Sequence, residues 1–373
     1  MRARFPAAVA AALASLIAAA CAPGGGDGAT LSGAPAGAPA PTVGPPAPAL
    51  PVNVTTPPGP PVEAPALPLN GCPPPPRPPG QAPPAPPYVP PRLVPESELP
   101  AALDPGTWTA SLGPLEGKGM WLWKYFQSEG GNADAIVAKA ASAGLRQLWV
   151  RVGDSRDGFY ARDVLDALVP RAHRAGIAVI GWGFPYLHDP VLDAGWSAEV
   201  LAWRSPDGHT LDGYSPDIEL ASEGVAISER RVRVYLGLVR QAAGNRLVVA
   251  TVYWPNATRW PDRYPYKAIA PYVDAFAPMA YWGCVEPGSL AQQSVERLKT
   301  LRPVHPIGTG WDATGEGGRT AAPSAHETNR FLDVSRRGGA LGASFWVWHL
   351  MGEEQWTALS AFPWRENGGQ PPG

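Results

Sequence analysis

Two carboxylates, Asp217 and Glu219, stand two residues apart in "LDGYSPDIELAS", residues 211–222. On a strand, side chains at i and i+2 point to one face, so this spacing puts both on one side with Ser215 beside them. Two carboxyl groups this close resist ionising together, so one is expected to hold its proton above the usual range. A carboxylic acid still protonated near neutral pH can protonate the oxygen of a glycosidic bond. Pro216 lies within the run and cannot donate to a ladder, so the strand is expected to begin at Asp217.

The elements that must position this pair follow from the rest of the chain. From residue 119 short apolar runs alternate with helix-like runs. "GMWLWKYF", "LRQLWVRVGDS", "IAVIGWGFPY", the stretch with Asp217, "RLVVATVYWPN", "VDAFAPMAYW", "VHPIGTGWD" and "ALGASFWVWHL" read as strands. Runs such as "NADAIVAKAASAG" and "SERRVRVYLGLVRQAAG" read as helices closed by glycine. The connection holding "DAGWSAEVLAWR" is less regular, and the link after "VVATVYWPN" is short and broken by proline. Alternation of this kind implies parallel βαβ units. Eight of them predict an α/β fold, a single (βα)8 barrel over residues 101–365. A doubly wound open sheet is the alternative. It more often carries a glycine-rich phosphate loop after its first strand, and "WLWKYFQSEGGN" is not one.

In such a barrel the chemistry sits where strands end and loops begin. Those ends read Lys124, Asp154, Tyr186, Asp217 with Glu219, Tyr253 with Trp254, Tyr281 with Trp282, Asp312 and His349. Sugar rings stack on aromatic faces, so a carbohydrate is the expected ligand. Its expected contacts are Trp123, Tyr186, Tyr253, Trp254, Trp282, Asp312, Trp346 and Trp348. Asp312 is as well placed to cap its own loop as to bind a sugar hydroxyl. Arg151 lies mid-strand and needs a partner, so it is expected inside the barrel against Asp154 or Asp217. His173 and His188 are expected on the surface or in loops. No metal-ligand spacing and no serine–histidine pair at a nucleophile elbow appears, so neither metal nor cofactor is expected.

Composition divides the chain. Residues 22–100 hold 28 of the 48 prolines and none of the 15 tryptophans. Such a segment buries too little apolar area to offset its ordering entropy and is expected to be a disordered, partly polyproline-II linker. Residues 366–373 are expected to form a disordered tail. At the start, Arg2 and Arg4 precede "AAVAALASLIAAAC", a run too short to span a membrane as a mature helix. This start resembles a bacterial lipoprotein signal over residues 1–21, with Cys21 acylated to become the new N-terminus. Ala18 stands where leucine is commoner, and an ordinary secretory signal cut nearby is the alternative. Either reading makes the protein exported; the first anchors it to a membrane through Cys21, in the cell envelope or on the outer face. In that oxidising compartment Cys72 and Cys284 either pair or remain separate thiols. The formal net charge of −2 and the absence of a basic run exclude a nucleic-acid footprint. A monomer that binds a glycan is the expected assembly.

"LDGYSPDIE" resembles the fourth-strand signature of glycoside hydrolase family 18, the chitinase-like enzymes, written DxxDxDxE. Asp212, Asp217 and Glu219 match, and Ser215 replaces the middle aspartate. "APMAYW" is similar to that family's MxYD on strand six, with Met279 and Tyr281 matching and Trp282 replacing the aspartate. "GASFWVW" resembles its eighth-strand tryptophan region, through Trp346 or Trp348. The resemblance implies a hydrolase of N-acetylhexosamine glycans, peptidoglycan or chitin-like. It makes Glu219 the general acid and the substrate's own acetamido group the nucleophile, with Asp217 orienting that group and the Tyr281 hydroxyl binding its oxygen. A barrel that binds the glycan without cleaving it is the alternative, and Ser215 and Trp282 are what favour it.

Overall fold

The computed structural model describes residues 69–72, 92–255, 264–312 and 319–364. Eight parallel strands follow one another: β1 (Gly117–Leu122), β2 (Leu145–Asp154), β3 (Ala178–Phe184), β4 (Gly213–Ile218), β5 (Leu247–Tyr253), β6 (Ala275–Met279), β7 (Ile307–Thr309) and β8 (Gly342–Trp346). Each pairs with the next, and β8 pairs with β1, so the sheet closes into a barrel. A two-residue strand, Gly158–Phe159, folds back antiparallel on the end of β2. The helices are α1 (Ala133–Ser142), α2 (Arg162–Arg174), α3 (Pro190–Ala202), α4 (Glu229–Ala243), α5 (Tyr266–Ile269), α6 (Pro287–Leu298), α7 (Ala325–Arg337) and α8 (Glu353–Ala361). The less regular connection is therefore the helix α3, and the described part of the proline-broken link holds the short helix α5 followed by a 3₁₀ turn, Ala270–Tyr272.

Local chemistry accounts for the ends of these elements. The Asn132 side chain accepts the Asp134 and Ala135 amides at the start of α1, satisfying donors that have no partner inside the helix. Ser324 and Glu327 form a reciprocal capping box at the start of α7.

Pro216 does not delay β4, contrary to expectation. The β4–β5 ladder pairs Tyr214 with Val248 and Asp217 with Thr251 and skips the two residues between. The Ser215 hydroxyl donates to the Val249 carbonyl at 2.7 Å, supplying a donor where the proline nitrogen has none.

Two apolar layers result, as a barrel with both faces buried requires. The outer one lies between sheet and helices. The inner one lies inside the barrel and combines aliphatic side chains with a group of indoles, with Trp121 stacked on Trp149 at 4.7 Å and set edge-on to Trp182 at 5.4 Å. Gly119 makes this possible, because a Cβ there would fall 3.0 Å from Trp149 Nε1 and 2.9 Å from Gln147 Cγ.

Two pieces of the proline-rich stretch pack on the barrel. Val94 donates its amide to the His188 carbonyl, Leu99 is buried, and Arg230 donates to the Leu99 carbonyl. Farther back, Cys72 forms a disulfide with Cys284. His173 belongs to α2, where its Nε2 lies 2.9 Å from the Asp212 carboxylate. His188 follows β3 in a loop and reaches the Gly224 carbonyl. Among the described residues no helix is long and apolar enough to cross a membrane. The signal segment with Cys21 and the tail lie outside the described residues.

Candidate active site

A cavity of about 480 Å³ opens where β1 to β4, β6 and β8 end. Period-two alternation decides which side chains reach it. From β1 and the residue after it come Trp121 and Trp123, from β2 Arg151 and Asp154, from β3 and just past its end Trp182, Phe184 and Tyr186, and from β4 and the residue after it Asp217 and Glu219. Thr251, Met279, Tyr281 and Trp346 complete the floor and far wall, while Arg156, Tyr160 and Glu223 enter from loops. Asp217, Glu219, Tyr281, Trp123, Tyr186 and Trp346 thus share one cavity.

The other expected contacts do not line it. Trp282 is 1% exposed and packs on Phe331 in the outer layer, where its Nε1 donates to Glu327 at 3.3 Å. Ala277, Met279 and Tyr281 face inward, and Trp282, the residue after Tyr281 and three past the end of β6, turns out. Trp348 is also in the outer layer, packed on Trp356 and donating to Glu129. β8 stops at Trp346 and a 3₁₀ turn follows, so the alternation no longer holds at 348. Tyr253 and Trp254 pack against the outer layer as well. The Asp312 carbonyl accepts the Arg319 amide. Lys124 and His349 are in contact with Trp123, the lysine over its ring and the histidine edge-on to it.

Sequence reasoning missed several lining residues. Trp121 and Trp182 alternate with Trp123 and Phe184 in "MWLW" and "GWGF", a pattern that places all four on the inner face. Arg156, Tyr160 and Glu223 depend on loop paths and carry no comparable signal.

The electrostatics centre on Arg151 and Asp217. The Arg151 guanidinium carbon lies over the Trp182 ring, 4.4 Å from its centre, and the group donates to Tyr160 Oη at 3.1 Å and pairs with Asp154 at 3.2 Å. Asp154 is itself fixed by the Arg156 and Asp157 amides. Asp217 is 6% exposed, and its Oδ1 has no hydrogen-bond partner among the described residues. Burial pushes its carboxyl up to about 7, against the pull of Arg151 and with a smaller push from Glu223. The expected cause, repulsion from the carboxylate two residues on, is therefore not the main one; loss of water is. Ser215 contributes nothing to the cavity, since its hydroxyl is held by Val249 and Thr251. Among the described residues no three His, Cys, Asp or Glu side chains converge as metal ligands.

No protein-family model matches the chain, and no curated protein matches it in sequence. Solved structures of similar fold include a family GH18 chitinase from Cycas revoluta, 11% identical with a TM-score of 0.48, covering 65% of this chain and 98% of that one. A class V chitininase from Pseudomonas fluorescens Pf-5 is 14% identical with a TM-score of 0.47, covering 66% and 99%. An endo-beta-1,4-mannanase from Thermotoga petrophila is 12% identical with a TM-score of 0.47, covering 66% and 69%. Each likeness concerns the path of the chain and not the residues of the cavity.

Proposed function

We propose that this barrel is an exported glycoside hydrolase acting on an N-acetylhexosamine glycan, with Glu219 as its general acid. The observation that carries the reading is the delivery of Asp217 and Glu219 by one strand into a cavity lined by Trp121, Trp123, Trp182 and Trp346. Indole faces suit sugar rings, and the carboxyl pair suits the bond between two rings.

In this mechanism the Glu219 carboxylic acid gives its proton to the glycosidic oxygen as the C1–O bond breaks. The carbonyl oxygen of the substrate's 2-acetamido group closes on C1, so the enzyme supplies no nucleophile. Ionised Asp217 accepts the acetamido N–H on its unpartnered oxygen and offsets the positive charge that develops there. Tyr281 donates to the acetamido oxygen. Water then attacks C1, Glu219 takes its proton back, and configuration is retained. Arg151 opposes the burial of the Asp217 charge, so both protonation states of Asp217 lie within reach near neutral pH.

A glycan-binding barrel without turnover is the second reading. It is favoured by the two positions that depart from the family pattern, since Ser215 is tied to β5 and Trp282 is turned out of the cavity. Location forms part of the proposal: Cys21 carries a lipid, and the protein works at the cell envelope or outer face. The Cys72–Cys284 bridge supports an oxidising compartment. Turnover of a fluorogenic chitobioside or of purified cell wall separates the two readings. Release of fluorophore or reducing ends supports hydrolysis, and tight binding of N-acetylglucosamine oligomers with no release supports the second.

A further inference from the structure

A buried polar cluster outside the cavity surrounds Glu327 on α7. This side chain is fully buried and paired with an equally buried Arg319. Its carboxylate accepts from Arg319 Nη2 at 2.8 Å, Ser324 N at 2.9 Å, Asn70 N at 3.1 Å and Trp282 Nε1 at 3.3 Å. Arg319 in turn donates its Nε to the Asn70 carbonyl at 2.8 Å. Glu327 thus joins three segments that are far apart in sequence: the strap 69–72, the loop after β6, and the start of α7.

Two further contacts run between the same parts. Thr320 donates its amide to the Gly71 carbonyl. At Gly71, with φ +73°, a Cβ would fall 2.5 Å from the Ala321 nitrogen, so only glycine lets the strap come this close. The Cys72–Cys284 disulfide then ties the strap to the loop two residues beyond Trp282.

A buried ion pair is poor evidence of stability by itself, because its desolvation offsets its attraction. What this one does is fix geometry. Trp282 and Tyr281 are consecutive and point to opposite faces, so a grip on the first sets the direction of the second. Tyr281 lies in the cavity, edge-on to Trp311 at 4.9 Å.

We infer that the strap 69–72, Glu327 and the Cys72–Cys284 bridge form a clamp that positions Tyr281 in the cavity. Glycan recognition then depends on a segment that precedes the barrel in sequence. Glu327 and Cys284 are positioning groups, since they act through Trp282 and the loop and do not line the cavity. The link to glycan rests on the function proposed above; the clamp itself does not.

The test uses the full chain carrying 3-fluorotyrosine, with the Tyr281 and Tyr186 fluorine resonances assigned by Tyr→Phe variants. The disulfide is reduced in the folded protein, and Glu327→Gln is made as a second, size-preserving variant. In both, the Tyr281 resonance is expected to shift or broaden while Tyr186, two residues past the end of β3, keeps its place. Turnover of the chitobioside is expected to fall about tenfold in kcat/KM, the scale of one lost hydrogen bond. An unmoved Tyr281 resonance after reduction overturns the clamp, whatever happens to turnover. Equal movement of Tyr186 overturns it too, because the bridge then supports the barrel as a whole. A Tyr281 resonance that shifts in a protein with no affinity for glycan supports the clamp and removes the proposed function instead.

Discussion

Asp212 and Asp217 stand at opposite ends of β4 and differ in what surrounds them. Asp212 accepts the Val179 amide at 2.7 Å and faces His173 Nε2 at 2.9 Å on the same oxygen. Nearby at that end, Lys118 donates to the Leu359 and Phe362 carbonyls and is pulled down to about 8 by burial. Asp217 is the more deeply buried aspartate, yet one of its oxygens is unmatched among the described residues. One end of the strand uses a carboxylate to close its hydrogen bonds. The other keeps a buried carboxylate incompletely satisfied, at a cost in stability that a ligand can recover. The N-terminal end of the barrel is thus built to hold, and the C-terminal end to bind.

The largest effect that this contrast predicts is at Glu219. Glu219→Gln keeps the shape of the side chain but has no proton to give. Hydrolysis is expected to fall by about 10²–10⁴ with glycan affinity retained, read by initial rates and by calorimetry. An unchanged rate on any cleaved substrate removes the acid assignment. Asp217→Asn should come next, and its two effects are opposite in sign. Activity should drop on the order of a hundredfold, because the amide cannot accept and offset charge as a carboxylate does. Stability should rise. The folded-state carboxyl is raised from 3.8 to about 7, so the native protein holds a proton that the unfolded chain has lost. The contribution of Asp217 to stability is therefore fully present below about pH 4 and is lost as pH rises through about 7. The asparagine variant avoids this loss and should be roughly 2–4 kcal/mol more stable at pH 8, with no gain at pH 4, in urea unfolding. A variant less stable than wild type at pH 8 would show that Asp217 serves the fold.

How much of this was legible follows from parity. The alternation of strands and helices made the barrel readable, and the i, i+2 spacing put Asp217 with Glu219. It failed by one residue at Trp282, three past the end of β6, where the neighbour of an inward Tyr281 turns out. It failed at Trp348 because β8 ends two residues earlier. Applied consistently, the same parity finds Trp121 and Trp182. A Cys72–Cys284 pair was one of the two alternatives the cysteines offered, but the packing of the strap was hidden for another reason. Its residues sit in a stretch whose composition argues against packing, and its partner Cys284 is 212 residues away. No local pattern carries such a contact.

A smaller effect is expected at Arg151. Its guanidinium favours ionised Asp217, so Arg151→Met should push that carboxyl higher still. The acid limb of kcat/KM should then move up by about one pH unit, while Arg156→Met, at the exposed rim, should move it less. Equal shifts in the two variants would mean that overall cavity charge, and not the buried guanidinium, sets the ionisation of Asp217.

The smallest effect on activity should come from Asp212→Asn, which acts at the closed end. An amide oxygen can still accept the Val179 amide, but the bond of His173 to a carboxylate is replaced by a weaker one to a neutral amide. Stability is expected to fall by about 1–2 kcal/mol in urea unfolding. Because Asp212 lies outside the cavity, kcat/KM should stay within about twofold of wild type, and the pH profile should not move. The resemblance to the chitinase-like signature includes Asp212 as well as Asp217 and Glu219, so the outcome decides what the match at 212 means. A stability loss with activity intact makes Asp212 the anchor at the start of β4. A loss of activity as large as at Asp217, with the fold stable, would mean that the two ends of the strand work as one unit and that the division between holding and binding is wrong.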